Sequence, residues 1–574
     1  MSAAPESEQN QKQSGIFRPG LLAALIITVS LAGIADHDLW TPDEPREAAI
    51  ALEMSRGGGL IVPRLAGQPF VEKPPLFYII ASFFLATLGN FTGQTAALRL
   101  TSACCGLGTL FFTYLIGRIY FDRQRALIAA AILGTMIGFV QVTHWLLVDN
   151  ALAFFITAAL WALARAYEHK RYGFLPLAGL FAAGAFLVKG FIGPLIIFIA
   201  GLGLFVPWLN KPKGQAAIGR LIFIHAASLA TALLICAAWI IPFAMRGGSE
   251  LFREWWWLNH FGRFTGEAKH LGHLSLWPYY FAVLPVYVLP WLGLFIAALI
   301  MLAKKIRTGA RPAGGGLFVW WALGTFLILS LSATKREIYL VALLPACALL
   351  CVHGLHIFNL ETPAARIWKK FCWLWLSLLL VILAALTAAP LAENVFFKNA
   401  LPPGWRQFLA PAIVIASLLA MSRTKTPLLQ RFLTAVPLCY AAILIMICPL
   451  VDRHKSYGPV FRATADAIRA RPELAIAGWK LDETTAAGFF YYAGLVFPAV
   501  SDEAMLADIL GGRNSRFNGV LALKKNTSPK HLPEKENTVI FESPMGKRRL
   551  LRVLAAPNWQ IKNRRRQAPR KQDG

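Results

Sequence analysis

Acids and bases concentrate in one loop of this chain. The segment Trp40-Thr41-Pro42-Asp43-Glu44-Pro45-Arg46 follows the first long apolar run, and Phe70-Val71-Glu72-Lys73-Pro74-Pro75 stands further along the same loop. In a chain that is 56% hydrophobic and only 15% charged, such clustering marks the place where acid–base and charge-stabilising chemistry would sit. The Pro74-Pro75 pair fixes the backbone beside Glu72 and Lys73. A second reading stays open: Asp43 and Glu44 are helix-start acids, stabilised by the helix dipole by about 0.3–1 kcal/mol.

Other ionisable residues stand at the ends of apolar runs, where a charge is costly and marks a functional hypothesis. Asp149 is framed by Leu146-Leu147-Val148 and Ala151-Leu152-Ala153, and it reads either as a site acid or as a solvated loop carboxylate. His260 to Arg263 and Lys335 to Tyr339 are further groups of this kind. The run Trp255-Trp256-Trp257 could stack on a sugar, but aromatic residues more commonly form an interfacial belt, and the belt is the favoured reading.

The element that must position the first cluster is a short helix. Thr41 with Glu44 three residues later has the form of a capping box, and Pro42 falls at the first helical position. The helix is predicted to run through Met54 and to stop at Gly57-Gly58-Gly59, because glycine is unfavourable inside a helix. With Ile50, Leu52 and Met54 among charged neighbours, it suits a membrane interface.

A mean hydropathy of +0.53 and repeated apolar runs of about 17–25 residues give a polytopic α-helical membrane protein. The net charge of +27 gathers in short loops and at Arg564-Arg565-Arg566. That pattern fits membrane topology and anionic headgroups, and nucleic acid is not an expected partner. The eight cysteines, including Cys104, Cys105, Cys236, Cys347, Cys351 and Cys448, fall almost wholly in apolar runs and form neither a disulfide framework nor a zinc motif.

The basic loops at 118–125, 165–171, 211–220, 304–311, 366–370 and 423–431 are expected on the cytoplasmic side. Parity then requires that the short stretch Leu76 to Leu88 does not cross, and leaves about thirteen transmembrane helices. The expected organisation is a cytoplasmic tail over 1–19, a transmembrane domain over 20–450 with a first outer loop over 36–95, a soluble α/β domain over 451–557, and a disordered basic tail over 558–574. On this topology the first loop, Asp149, His260 to Arg263, Lys335 to Tyr339 and the carboxyl-terminal domain share the outer face.

Taken together, these segments resemble a known family. Leu39-Trp40-Thr41-Pro42-Asp43-Glu44-Pro45-Arg46, Glu53-Met54, Ile61-Val62-Pro63 and Glu72-Lys73-Pro74 are similar to the first periplasmic loop of the bacterial lipid A aminoarabinose transferases, GT-C glycosyltransferases related to protein O-mannosyltransferases. Val148-Asp149, Lys189-Gly190-Phe191, Asn259-His260-Phe261-Gly262-Arg263-Phe264, Trp277-Pro278-Tyr279-Tyr280, Leu289-Pro290-Trp291-Leu292-Gly293, and Lys335 with Tyr339 follow in the family's order. The resemblance implies a GT-C fold and transfer of a sugar from undecaprenyl phosphate, outside the inner membrane, to lipid A or a related glycolipid. The amino terminus would then be cytoplasmic and the carboxyl-terminal domain periplasmic. The sequence carries no nucleotide-binding glycine motif, which agrees with a lipid-linked donor.

The resemblance implies residue roles as well. Asp43 matches the acid nearest the reacting sugar, with Glu44 beside it, and Asp149 matches a second acid. Lys73, Arg263 and Arg46 match bases at the donor phosphate. Glu72, His260 and Tyr339 match candidate ligands of a divalent metal ion. The chain departs from the pattern at Asn259, where an acid is common, and at Arg336-Glu337-Ile338, and these departures leave the sugar and the metal open. Two other functions remain as alternatives: a protein O-mannosyltransferase, and a transporter or flippase. The second lacks the internal repeat and midplane charges that transporters often show.

Overall fold

A computed structural model describes residues 19–209, 215–266, 275–309, 312–388, 406–422, 426–525, 537–545, 549–557 and 559. Residues 1–18 and, apart from Trp559, 558–574 lie outside the described residues, as do the expectations for those tails. The described chain forms two compact units. One holds Met1–Asp36 with Val71–Leu450 and the other His37–Phe70 with Val451–Gly574.

The first unit is helical. Among the described residues seven helices are long and apolar enough to cross a membrane, from Gln94–Tyr120 to Leu428–Asp452, and nine if each of two bent pairs is one span. Five shorter apolar helices accompany them, including Pro19–Leu31 and Leu76–Thr92. Only 11% of the most apolar part of Ile222–Gly262 is buried inside the protein, and Phe223, Leu234 and Met245 lie fully outward. Apolar faces of that size require lipid, and helices satisfy every backbone group without water. The chain is a multi-pass membrane protein.

Two of these helices position an ion pair. Val148–Glu168 and Leu175–Lys189 are joined by a single short turn at Tyr172–Phe174, so they run antiparallel and the start of one lies beside the end of the other. Asp149 stands in the first turn of the former and Lys189 in the last turn of the latter, each at the helix end whose dipole favours its charge. Gly190 stops the second helix at φ 71°, ψ −148°, a conformation that only glycine adopts readily.

The segment that leads to His260 and Arg263 is helical in large part. The helix Gln215–Arg253 breaks at Gly248, where φ is 73°, and continues as a π-helix over Glu254–Gly262. The tryptophan run divides accordingly. Trp255 is fully buried against Trp239, Phe243 and Phe186, whereas Trp256 and Trp257 are exposed, so only the last two present an aromatic surface outward.

The second unit is built on a five-stranded mixed sheet of order β4-β3-β5-β7-β6, with β3 Ile476–Trp479, β4 Ala499–Val500, β5 Gly519–Lys525, β6 Thr538–Pro544 and β7 Arg549–Ala555. β3 pairs in parallel with β4 and β5, while β7 pairs antiparallel with β5 and β6. Alternation along β5 sends Leu521 to one face, with Phe461, Phe489 and Val553, and Val520 and Ala522 to the other, with Leu506, Ile509 and Leu510. Helices cover both faces.

The helix predicted from Pro42 to Met54 spans Asp43–Ser55. Its apolar residues Ile50, Leu52 and Met54 are buried in protein and not laid on a membrane interface, because the helix packs on Glu483–Ala493 of the same unit. No side chain caps its start, since Pro42 rather than Thr41 is the boundary residue. Glu44 reaches back one residue further than a capping box requires and accepts from the Trp40 amide at 2.7 Å.

Candidate functional site

The candidate residues fall into two sets, one in each unit. In the first unit the ammonium of Lys189 lies 2.5 Å from Asp149 Oδ1, with side-chain exposures of 18% and 5%. A charge so sheltered needs its partner, which excludes the reading of Asp149 as a solvated loop carboxylate. The same ammonium stands 4.1 Å from the centre of the Tyr339 ring, a cation–π contact. Lys73 and Arg336 are close enough to act on the charge of Lys189. Lys189 is therefore held between a buried carboxylate and an aromatic ring at one end of the helix pair.

Neighbouring strands of chain hold this set in place. Glu72 Oε1 lies 3.9 Å from Lys73 Nζ, at the edge of an ion pair. The Asn259 amide donates to the Val71 carbonyl at 3.3 Å and ties the π-helix to the Glu72-Lys73 segment. His260 Nδ1 lies 2.7 Å from the Trp255 carbonyl, an acceptor, so that nitrogen donates there. Nε2 faces Gly190 so closely that a Cβ there would lie 2.0 Å away. Arg263 opens a short helix over Arg263–Thr265, and its side chain lies outside the described residues.

In the second unit Asp43 is buried and accepts from Arg46 Nη2 at 2.8 Å, while Arg46 Nη1 donates to Glu483 Oε2 at 2.8 Å. Arg46, expected at a phosphate, thus bridges two carboxylates with its two terminal nitrogens. Glu44 is buried and holds the Trp40 amide, so one of its oxygens serves the chain's own fold.

Two participants were not marked as site residues by the sequence. Lys189 carried a usable signal, a lone lysine closing the apolar run Phe186-Leu187-Val188. Glu483 carried none, being one acid among many in a polar region more than four hundred residues away. Lys335, paired with Tyr339 in the sequence pattern, instead donates to the carbonyls of Ser275, at 3.0 Å, and Ser332. The lysine that meets Tyr339 is Lys189.

The proposed metal ligands do not fit a bound ion. Among the described residues no three His, Cys, Asp or Glu side chains stand close enough to share one. Of the three candidates, His260 has Nε2 packed against Gly190, and Glu72 lies beside an ammonium.

Comparison with known proteins bears on these sets. Residues 72–241 match a family model described as dolichyl-phosphate-mannose-protein mannosyltransferase. The crystal structure of ArnT from Cupriavidus metallidurans bound to undecaprenyl phosphate superposes with a TM-score of 0.65 at 20% identity, covering 92% of this chain and 96% of that one. The fold is that of a GT-C glycosyltransferase. The chain is also 28% identical over 374 residues to the undecaprenyl phosphate-α-4-amino-4-deoxy-L-arabinose arabinosyl transferase of Pseudomonas aeruginosa, and 28% identical over 338 residues to a Proteus mirabilis protein of the same description. These alignments span 64% and 58% of both partners, so the match covers less than two thirds of the relatives' length. The resemblance to the aminoarabinose transferases holds in sequence and in fold.

Proposed function

We propose that the chain is a glycosyltransferase of the bacterial inner membrane, moving a sugar from undecaprenyl phosphate to lipid A or a related envelope glycolipid on the periplasmic face. The observation that carries this reading is the sheltered pair of Lys189 and buried Asp149 at the end of an antiparallel helix pair, with the Tyr339 ring against the ammonium. A lipid phosphate leaving as sugar departs needs its developing charge stabilised by fixed cations more than it needs a proton. The names of the sequence relatives support the same donor.

In the proposed step an acceptor oxygen bonds to the anomeric carbon as the bond from that carbon to the phosphate oxygen breaks, and the electron pair leaves on undecaprenyl phosphate. Direct displacement inverts the anomeric centre. Lys73 and Arg263 are assigned to the phosphate and Asp149 to the positive charge on the sugar ring; Asp43 is the acid whose loss the assay below reads. If the acceptor is a lipid A phosphate, it is already anionic and needs no base; a hydroxyl acceptor would pass its proton to a carboxylate. No step is assigned to a metal.

This reading places about thirteen spans in the bilayer: the seven long helices, the two bent pairs and four of the five shorter ones, with Leu76–Thr92 in the outer loop. The amino terminus is then cytoplasmic and the domain after Val451 periplasmic, in keeping with the basic loops. A second reading, transfer to protein, is favoured by the mannosyltransferase model that matches residues 72–241.

Mass spectrometry of lipid A and periplasmic protein from cells making the wild-type chain or Asp43→Asn separates these readings. A sugar-sized increment on lipid A with the wild type only is the expected result. The same increment on protein alone would move the assignment to the second reading, and no increment on either would sink both.

A further inference from the structure

We propose that Glu483 is a positioning residue for sugar transfer, acting through Arg46 on Asp43. This rests on the transferase reading above and assigns the carboxyl-terminal domain a part in the reaction.

The geometry is a relay of three side chains. Arg46 Nη2 donates to Asp43 Oδ1 at 2.8 Å and Arg46 Nη1 donates to Glu483 Oε2 at 2.8 Å. Each terminal nitrogen of one planar guanidinium is thus committed to a different carboxylate, so the orientation of the plane is set from both sides. Arg46 lies one turn beyond Asp43 on the Asp43–Ser55 helix, and its side chain is largely enclosed. Removing Glu483 would take away one of the two carboxylates that fix the plane of the guanidinium, and the Arg46 and Asp43 side chains would be less firmly oriented.

Glu483 is itself held firmly. It is the first residue of the helix Glu483–Ala493, whose cap Asp482 accepts from the Thr485 amide at 2.8 Å and from Arg549 of β7 at 2.6 Å. The next residue, Thr484, donates to the Pro42 carbonyl at 3.1 Å. One turn of the sheet domain therefore grips the start of the Asp43 helix at both Pro42 and Arg46. At the other end the Arg56 guanidinium lies over the Phe490 ring at 5.6 Å, so the two helices are joined at both ends.

The competing reading is a surface ion pair of no consequence. Glu483 is half exposed, and such pairs add little to stability. That is why the readout must be catalytic: a pair that contributes little to folding can still fix a reacting group, where a small displacement costs rate.

The test measures transfer in membranes containing the full-length chain, with purified undecaprenyl-phosphate-linked sugar and lipid A, for wild type, Glu483→Gln, Glu483→Asp, Arg46→Lys and the double variant Arg46→Lys/Glu483→Gln. Asp508→Asn, which breaks an exposed pair with Arg513 in the same domain, is the control and should match wild type. Glu483→Gln is expected to lower kcat about tenfold, with donor KM within twofold and the amount of folded protein unchanged. Glu483→Asp should recover part of the loss. The double variant should be no slower than Arg46→Lys alone, since both changes break one relay. A Glu483→Gln rate within twofold of wild type, or losses that multiply in the double variant, would overturn the proposal. A wild type that transfers no sugar would overturn the transferase reading instead.

Discussion

Lys189 Nζ lies 2.5 Å from Asp149 Oδ1, where the start of one helix meets the end of the next, antiparallel one. The pair is sheltered, dipole-assisted at both ends, and joined by the Tyr339 ring, so its two charges depend on each other.

Asp149→Asn is therefore expected to destabilise the chain by about 3–5 kcal/mol, because it leaves an ammonium buried without its partner. The double change Asp149→Asn/Lys189→Met should recover most of that stability, as apolar replacements of buried pairs do. It should not recover transfer. Thermal unfolding in detergent, run beside the transfer assay, checks both halves; a single variant as stable as wild type would show that the pair holds nothing together.

Gly190→Ala tests how tightly His260 is seated. The new Cβ would fall 2.0 Å from His260 Nε2, and the backbone at φ 71° adds roughly 1–3 kcal/mol of strain for any residue with a side chain. Loss of folded protein together with loss of transfer is expected. Gly173→Ala, at a turn with open space around it, should change neither.

The third prediction concerns alkaline pH and the second unit. The Tyr492 hydroxyl donates to Asp38 Oδ1 at 2.5 Å, and burial, reinforced by the Asp38 charge, pushes the phenol well above its usual value. The Arg462 guanidinium also faces this pair, 5.2 Å from the ring centre. A raised pKa means that the protonated phenol is favoured in the folded state. The contact thus contributes fully below the ordinary phenol value of about 10 and is lost as pH rises above it. In the full chain in detergent, proteolysis of the His37–Phe70 segment should accelerate above pH of about 10 in wild type, while Tyr492→Phe should show no such rise. An identical rise in both would remove Tyr492 as its cause.

Much of the helical scaffold could be read from the sequence because its causes are local. Apolar length alone marked helices long enough to span, and proline and glycine bounded the Asp43–Ser55 helix within a residue or so. The predicted capping box failed for a local reason as well: the helix begins one residue later than the motif assumes, and Glu44 closes on Trp40. The interfacial reading of that helix failed because amphipathic spacing states only that a face is covered, not whether lipid or protein covers it.

Sequence by itself determined a polytopic helical protein with acids and bases at the ends of its apolar runs, because hydropathy and helix-stop signals act over a few residues. Only the tertiary structure decided which charge meets which. Lys189, not Lys335, lies over Tyr339; Arg46 joins Asp43 to Glu483 across 437 positions; and Tyr492 closes on Asp38 across 454. An ion pair or a hydrogen bond is a contact of about 3 Å between side-chain tips. Where the chain is far apart in sequence, only packing brings such tips together.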